Sequence, residues 1–105
     1  MIPKTGETWF VDFGMEAKPR WVLIVGCQKD GRLALASVVK ITTQFAGTPY
    51  EIALPRVPWL REQSYVNAQG ILPVKFSELV RKAPGQFDSR VLQDVRAALA
   101  RWLDI

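Results

Sequence analysis

The sequence contains no histidine and a single cysteine, Cys27. Without histidine, Ser-His-Asp and Cys-His catalysis are excluded, as is any nuclease built on a pair of histidines. Cys27 has no partner for an internal disulfide and no histidine with which to build a Cys/His metal cluster, so it reads as a structural thiol at a strand end. Any chemistry must run on Arg, Lys, Asp, Glu, Ser, Thr or Tyr. Long hydrophobic runs are missing as well. The longest uninterrupted one, Trp21 to Val25, is far short of the roughly 20 residues that cross a bilayer. The opening residues, MIPKTGETW, hold no apolar stretch of signal-peptide type. The expectation is a cytoplasmic protein with no membrane partner.

What is present suits one folded domain spanning residues 1–105, with 49% hydrophobic and 23% charged residues. Fourteen Lys and Arg against ten Asp and Glu give a net charge of +4, and the sequence pI is about 9.6. A nucleic-acid footprint is worth considering at that pI, although a basic surface that merely keeps the chain soluble has the same composition.

Along the chain, ETWFVDF places Trp9, Val11 and Phe13 on one side of a pleat, predicting a strand over Glu7–Phe13. After the short connection Gly14–Pro19, the run WVLIVGC reads as a strand buried on both faces. Asp30-Gly31 then predicts a tight type I′ hairpin leading into a return strand, Arg32–Ile41. GTP breaks the chain, YEIAL reads as a further strand, and PRVPW makes a bend that cannot lie inside a sheet. Shorter strands are expected at Tyr65–Ala68 and Ile71–Val74, and FSELV reads as a single helical turn. The period then changes. Val91, Val95, Leu99 and Trp102 recur at helical spacing, predicting a terminal helix over about 88–104, capped by Asp88 or Ser89 and stapled by Phe87. Trp9 and Trp102 fit apolar stripes and are expected in the core. Antiparallel strands followed by one helix give a mainly β fold, a small barrel closed by a C-terminal helix.

Two polar features stand at the ends of buried strands: Arg20 before WVLIV, and Thr42-Thr43-Gln44 after SVVKI. Because a hairpin joins the two strands, the start of the first lies beside the end of the second. Arg20 and Thr42 are thereby brought together. An arginine fork and a hydroxyl can hold a phosphate and stabilise charge on its non-bridging oxygens. The other reading is a solvated arginine beside a threonine turn. A second cluster, Arg56, Trp59 and Arg61, sits in the proline-rich bend. An aromatic between two arginines suits base stacking with flanking phosphates; the same tryptophan could equally cap the barrel or pack in an interface.

GETWFVDF, then PRWVLIV, then KITTQFAGTPYEIAL resembles the MazF/PemK family of toxin ribonucleases from toxin–antitoxin pairs, and SYVNAQ with the terminal helix extends the likeness over nearly the whole chain. The resemblance implies a small SH3-like barrel of the CcdB/PemK type that forms a homodimer and cleaves single-stranded RNA through the RNA's own 2′-hydroxyl. Metal and cofactor are not needed for that reaction. By position, Arg20 matches the family's strand-heading arginine, Thr42 its active-site threonine, and Glu16 an acidic residue of the preceding loop, the candidate base. Thr43 and Gln44, with Arg56, Trp59 and Arg61, are the candidate RNA-binding residues. A cognate antitoxin with an acidic segment is the implied partner. The connection before Arg20 is shorter than is usual in the family, and the alternative is a non-catalytic SH3-like barrel that binds nucleic acid or a protein partner.

Overall fold

The computed structural model describes residues 2–28 and 30–105. Seven strands precede one helix: β1 (Thr8–Val11), β2 (Arg20–Cys27), β3 (Leu35–Thr42), β4 (Glu51–Ala53), β5 (Tyr65–Asn67), β6 (Leu72–Lys75), β7 (Leu79–Lys82) and α1 (Ser89–Leu103). Every strand pairing is antiparallel. The order across the sheet is β4-β5-β3-β2-β1-β7, with β6 also on β3. β3 is long enough to serve two neighbours. Its first half pairs with β6, and its end, Ile41 and Thr42, pairs with Val66 and Tyr65 of β5. The fold is mainly β with a terminal helix, as expected, but the barrel is not closed, since β4 and β7 remain edges.

Two cores explain why β2 and β3 read as nearly continuous apolar runs. Strand side chains alternate between faces. Leu23, Val25, Val39 and Ile41 face α1 and pack with Val91, Val95, Ala98 and Leu99. Val22, Ile24, Ala36 and Val38 face the other way and pack with Trp9, Val11, Val74 and Leu79. Each strand is therefore covered on both sides. The helix begins at Asp88, whose carboxylate accepts from the N–H groups of Arg90 and Val91 at 3.1 and 3.3 Å, while buried Phe87 joins the core beside Val91.

The structure departs from the sequence reading in three places. Asp30-Gly31 is not the expected two-residue type I′ turn: β2 ends at Cys27, β3 starts at Leu35, and Gly31 is not among the glycines with positive φ. A register shift between Ile24 and Gly26 offsets the two strands by one residue before they end; Lys29, between them, lies outside the described residues. FSELV is helical only as the 3₁₀ turn Phe76–Glu78. Leu79 then enters β7, where it covers Val11 in the second core. Trp102 is 42% exposed, meeting Tyr50 edge-on at 5.5 Å rather than entering the core.

Candidate functional site

The site is built on the ends of β2 and β3. The register Val22↔Lys40, with the alternation of side chains along each strand, puts Arg20, Lys40 and Thr42 on one face of the sheet. Arg20 is half-buried and its backbone pairs with Val11 of β1. Its Nε is sequestered from solvent yet has no hydrogen-bond partner. A buried donor on a charged group without an acceptor is uncommon, and an anion would supply what is missing. Lys40, which the sequence reading did not single out, extends over the ring of Phe13 at 4.9 Å from its centroid. That cation–π contact holds a second positive charge beside Arg20.

Thr42 is the last residue of β3, and its Oγ1 accepts from the Gln44 N–H at 3.2 Å. The threonine thus ends the strand by a local turn, and its hydroxyl proton remains free to donate. Thr43 and Gln44 are exposed. Beyond them the chain folds over a hollow of about 320 Å³ lined by Thr42, Gln44, Phe45, Ala46, Glu51 and Asn67. The Glu51 carboxylate fixes this loop, accepting from the N–H groups of Ala46 and Thr48 at 2.9 and 2.8 Å. Those bonds, from Ala46 first and Thr48 second, hold its pKa below the ordinary 4.5. Gly47, at φ +79°, supplies the left-handed residue the turn requires.

The other sequence candidates lie elsewhere. Glu16 is exposed within the Gly14–Pro19 loop, and no described contact ties it to Arg20. Arg56 and Arg61 are exposed and joined to each other, Arg56 donating to the Arg61 carbonyl at 3.0 Å. Trp59 turns away from them. Its ring packs against Gly85, where an added Cβ would come within 2.8 Å, and lies 5.7 Å from Phe87. The ring's contacts are with the core, and none of these three residues lines the hollow beside Thr42.

Two further carboxylate and thiol groups are structural. Burial would raise the pKa of Glu7, but bonds from the Trp9 indole and the Lys4 N–H, with the charge of Lys82, hold it lower. Burial, helped by Glu7, pushes the Cys27 thiol up, and the thiol donates to the Pro3 carbonyl at 3.3 Å. Among the described residues no cluster of three or more His, Cys, Asp or Glu could hold a metal ion, and no helix is long and apolar enough to cross a membrane.

The family described as PemK-like, MazF-like toxins of type II toxin–antitoxin systems matches residues 4–103. An endoribonuclease from a mycobacterial species, solved in complex with its cognate antitoxin, is 25% identical with a TM-score of 0.80, over 98% of this chain and 96% of that one. MazF from Deinococcus radiodurans is 21% identical with a TM-score of 0.81, over 100% and 99%. The Mycobacterium tuberculosis toxin MazF-mt6 is also 21% identical, with a TM-score of 0.78 over 94% and 97%. These last two show a shared fold. No curated protein matches the sequence.

Proposed function

Because this chain belongs to the PemK-like, MazF-like toxins of type II toxin–antitoxin systems, we propose that it is the toxin of such a pair, an endoribonuclease that cuts single-stranded RNA. The observation that carries the reading is the shared face of Arg20, Lys40 and Thr42, with an arginine donor left unpartnered at its centre.

The chemistry follows from what these groups can do. The 2′-oxygen of one nucleotide attacks the adjacent phosphorus and loses its proton to a base. The bond from phosphorus to the 5′-oxygen breaks, and that oxygen gains a proton. The products are a 2′,3′-cyclic phosphate and a free 5′-hydroxyl. Negative charge gathers on the non-bridging oxygens meanwhile, and the Arg20 guanidinium and the Thr42 hydroxyl stabilise it there. Arginine stays protonated, so it cannot be the base. Glu16, on the loop leading into β2, takes that role in this proposal. Thr43 and Gln44 contact the RNA chain beyond the scissile phosphate. Arg56 and Arg61 attract the backbone from a distance, and Trp59 supports the bend that carries them.

Three further parts of the proposal concern surroundings. The protein works in the cytoplasm, where RNA is its substrate. It acts as a homodimer. A cognate antitoxin neutralises it by laying an acidic segment along the basic face, in line with the mycobacterial neighbour solved with its own antitoxin.

The decisive experiment is a gel assay of purified protein on a long single-stranded RNA, with and without EDTA. Cleavage that is indifferent to EDTA and leaves cyclic phosphate ends is expected. Retarded but intact RNA would replace the enzyme with a binding protein of the same fold.

A further inference from the structure

The face that carries Arg20 and Thr42 does not stop at the strand end. Thr42 pairs with Tyr65 across β3 and β5, and Asn67 pairs with Glu51 across β5 and β4. By alternation, Thr42, Tyr65, Asn67 and Glu51 all lie on the side opposite Ile41, Val66 and Ile52, which belong to the helix-side core. Phe45 folds back onto this strip, stacked on Tyr65 with centroids 4.5 Å apart and planes 16° from parallel. One face of Phe45 is therefore covered, yet the residue is 54% exposed. An aromatic ring backed by a stacked partner and more than half exposed is a platform. Beside it lies the hollow of about 320 Å³, at the lower end of the roughly 300–1,000 Å³ of small-ligand pockets.

We infer that this hollow is a nucleobase subsite, in which one unpaired base stacks on Phe45 and is read by Asn67 and Glu51. The inference rests on the proposed ribonuclease activity for its substrate class and adds which part of the RNA goes where. Phosphate is directed to the Arg20 and Lys40 end, because the carboxylate of Glu51 repels it from the hollow. The polar lining selects among bases. Asn67 uses its Oδ1 to accept from the Gln69 N–H at 3.0 Å, which leaves its Nδ2 as a donor. Directly across the strands, Glu51 offers only acceptors. A donor and an acceptor side by side match a base whose Watson–Crick edge sets an exocyclic amine next to an unprotonated ring nitrogen, the pattern of adenine and cytosine. Adenine covers more of the ring. It is the preferred occupant.

The test uses single-stranded oligonucleotides blocked against cleavage by 2′-deoxy sugars, each carrying adenine, cytosine, guanine or thymine at the position next to the scissile phosphate, with affinity read by fluorescence anisotropy. Adenine should bind best. Phe45→Ala should weaken binding of the adenine oligonucleotide by about 5- to 150-fold, the range for one base–aromatic stack. Phe45→Leu, which keeps apolar bulk, should not rescue it. Asn67→Asp keeps the cap on Gln69 but loses the donor, so it should erase the preference for adenine while stacking persists. Arg20→Ala should leave the base preference intact even as cleavage of ordinary RNA disappears. If the wild type cuts RNA but shows no base preference, or if Phe45→Ala and Asn67→Asp leave that preference unchanged, the subsite is wrong and the ribonuclease reading stands. If the protein cuts no RNA yet binds the blocked oligonucleotides with this dependence on Phe45 and Asn67, the subsite stands and the enzyme reading falls.

Discussion

At the scale of single residues, the consequential positions are those whose polar atoms have no partner inside the fold. Arg20 carries an unpartnered, sequestered Nε, and the proposed reaction gives it a partner only when RNA is bound. Arg20→Ala is expected to abolish cleavage without unfolding the protein, since the side chain contributes to neither core cluster. Arg20→Lys should be nearly as poor, because a single ammonium cannot grip two phosphate oxygens. Thr42→Val keeps the strand-end shape and loses one donor. Its rate should fall by about 10²–10³, the usual cost of one preorganised donor. Equal cutting by wild type and Arg20→Ala in the gel assay would move the site elsewhere. Arg20 and Thr42 could be read from the sequence because antiparallel neighbours in sequence must meet at their ends. Phe45, Glu51 and Asn67 could not, because they join the strip only through the β3-β5-β4 pairing, which brings in a strand far along the chain; Lys40 shares the β2-β3 register with Arg20 and Thr42 and was as legible as they were. The direction in which Trp59 points was equally hidden, since a proline-rich bend has no period to set it.

At the scale of elements, the loop from Thr42 to Glu51 is held by one carboxylate. Glu51 has its pKa lowered by the N–H groups it binds, so its ionised form is favoured in the folded state. The ordering it provides is therefore complete above the ordinary value of 4.5 and is lost as pH falls through the lower folded value. Protection of the Ala46 and Thr48 amides, read as exchange relative to the intrinsic rate at each pH, should fall below that value and stay constant from about pH 5 to 7. Glu51→Gln should remove the pH dependence; a variant that retains it would locate the titrating group elsewhere. The bend at Trp59 offers a second check. Gly85→Ala places a methyl against the ring at 2.8 Å, and overpacking of this kind typically costs about 1–3 kcal/mol. Urea unfolding of that variant should show the loss, and unchanged stability would mean that the ring moves freely. Strand and helix periods gave most elements in the sequence. β7 escaped because Leu79–Lys82 is one buried residue followed by three exposed ones, too short to show alternation, and β1 supplies the pairing that makes it a strand.

At the scale of the whole molecule, the expected barrel and terminal helix follow from alternation and period, whereas the open edges at β4 and β7 depend on how far the sheet curls. The helix end raises the question of assembly. Trp102, Leu103 and Ile105 are 42%, 48% and 89% exposed, and Leu103 and Ile105 border a hollow of about 300 Å³ with Val25, Ile71 and Leu99. An exposed apolar patch on a small basic protein is a candidate for an interface. The acidic antitoxin segment is expected on the opposite, basic face, so a second copy of the chain is the proposed occupant here, and two-fold pairing is the commonest way to close such a contact. Light scattering at micromolar concentration should then give twice the 11.9 kDa of one chain. Leu103→Asp should return the protein to a single chain, because a pair related by two-fold symmetry would bring two carboxylates into an apolar contact. The substitution lies in the last turn and outside the buried core, so the helix should survive it, as circular dichroism would show. A dimer unaffected by Leu103→Asp would place the interface on another face, and a wild type that scatters as one chain would leave the patch to solvent and remove the homodimer from the proposed mechanism.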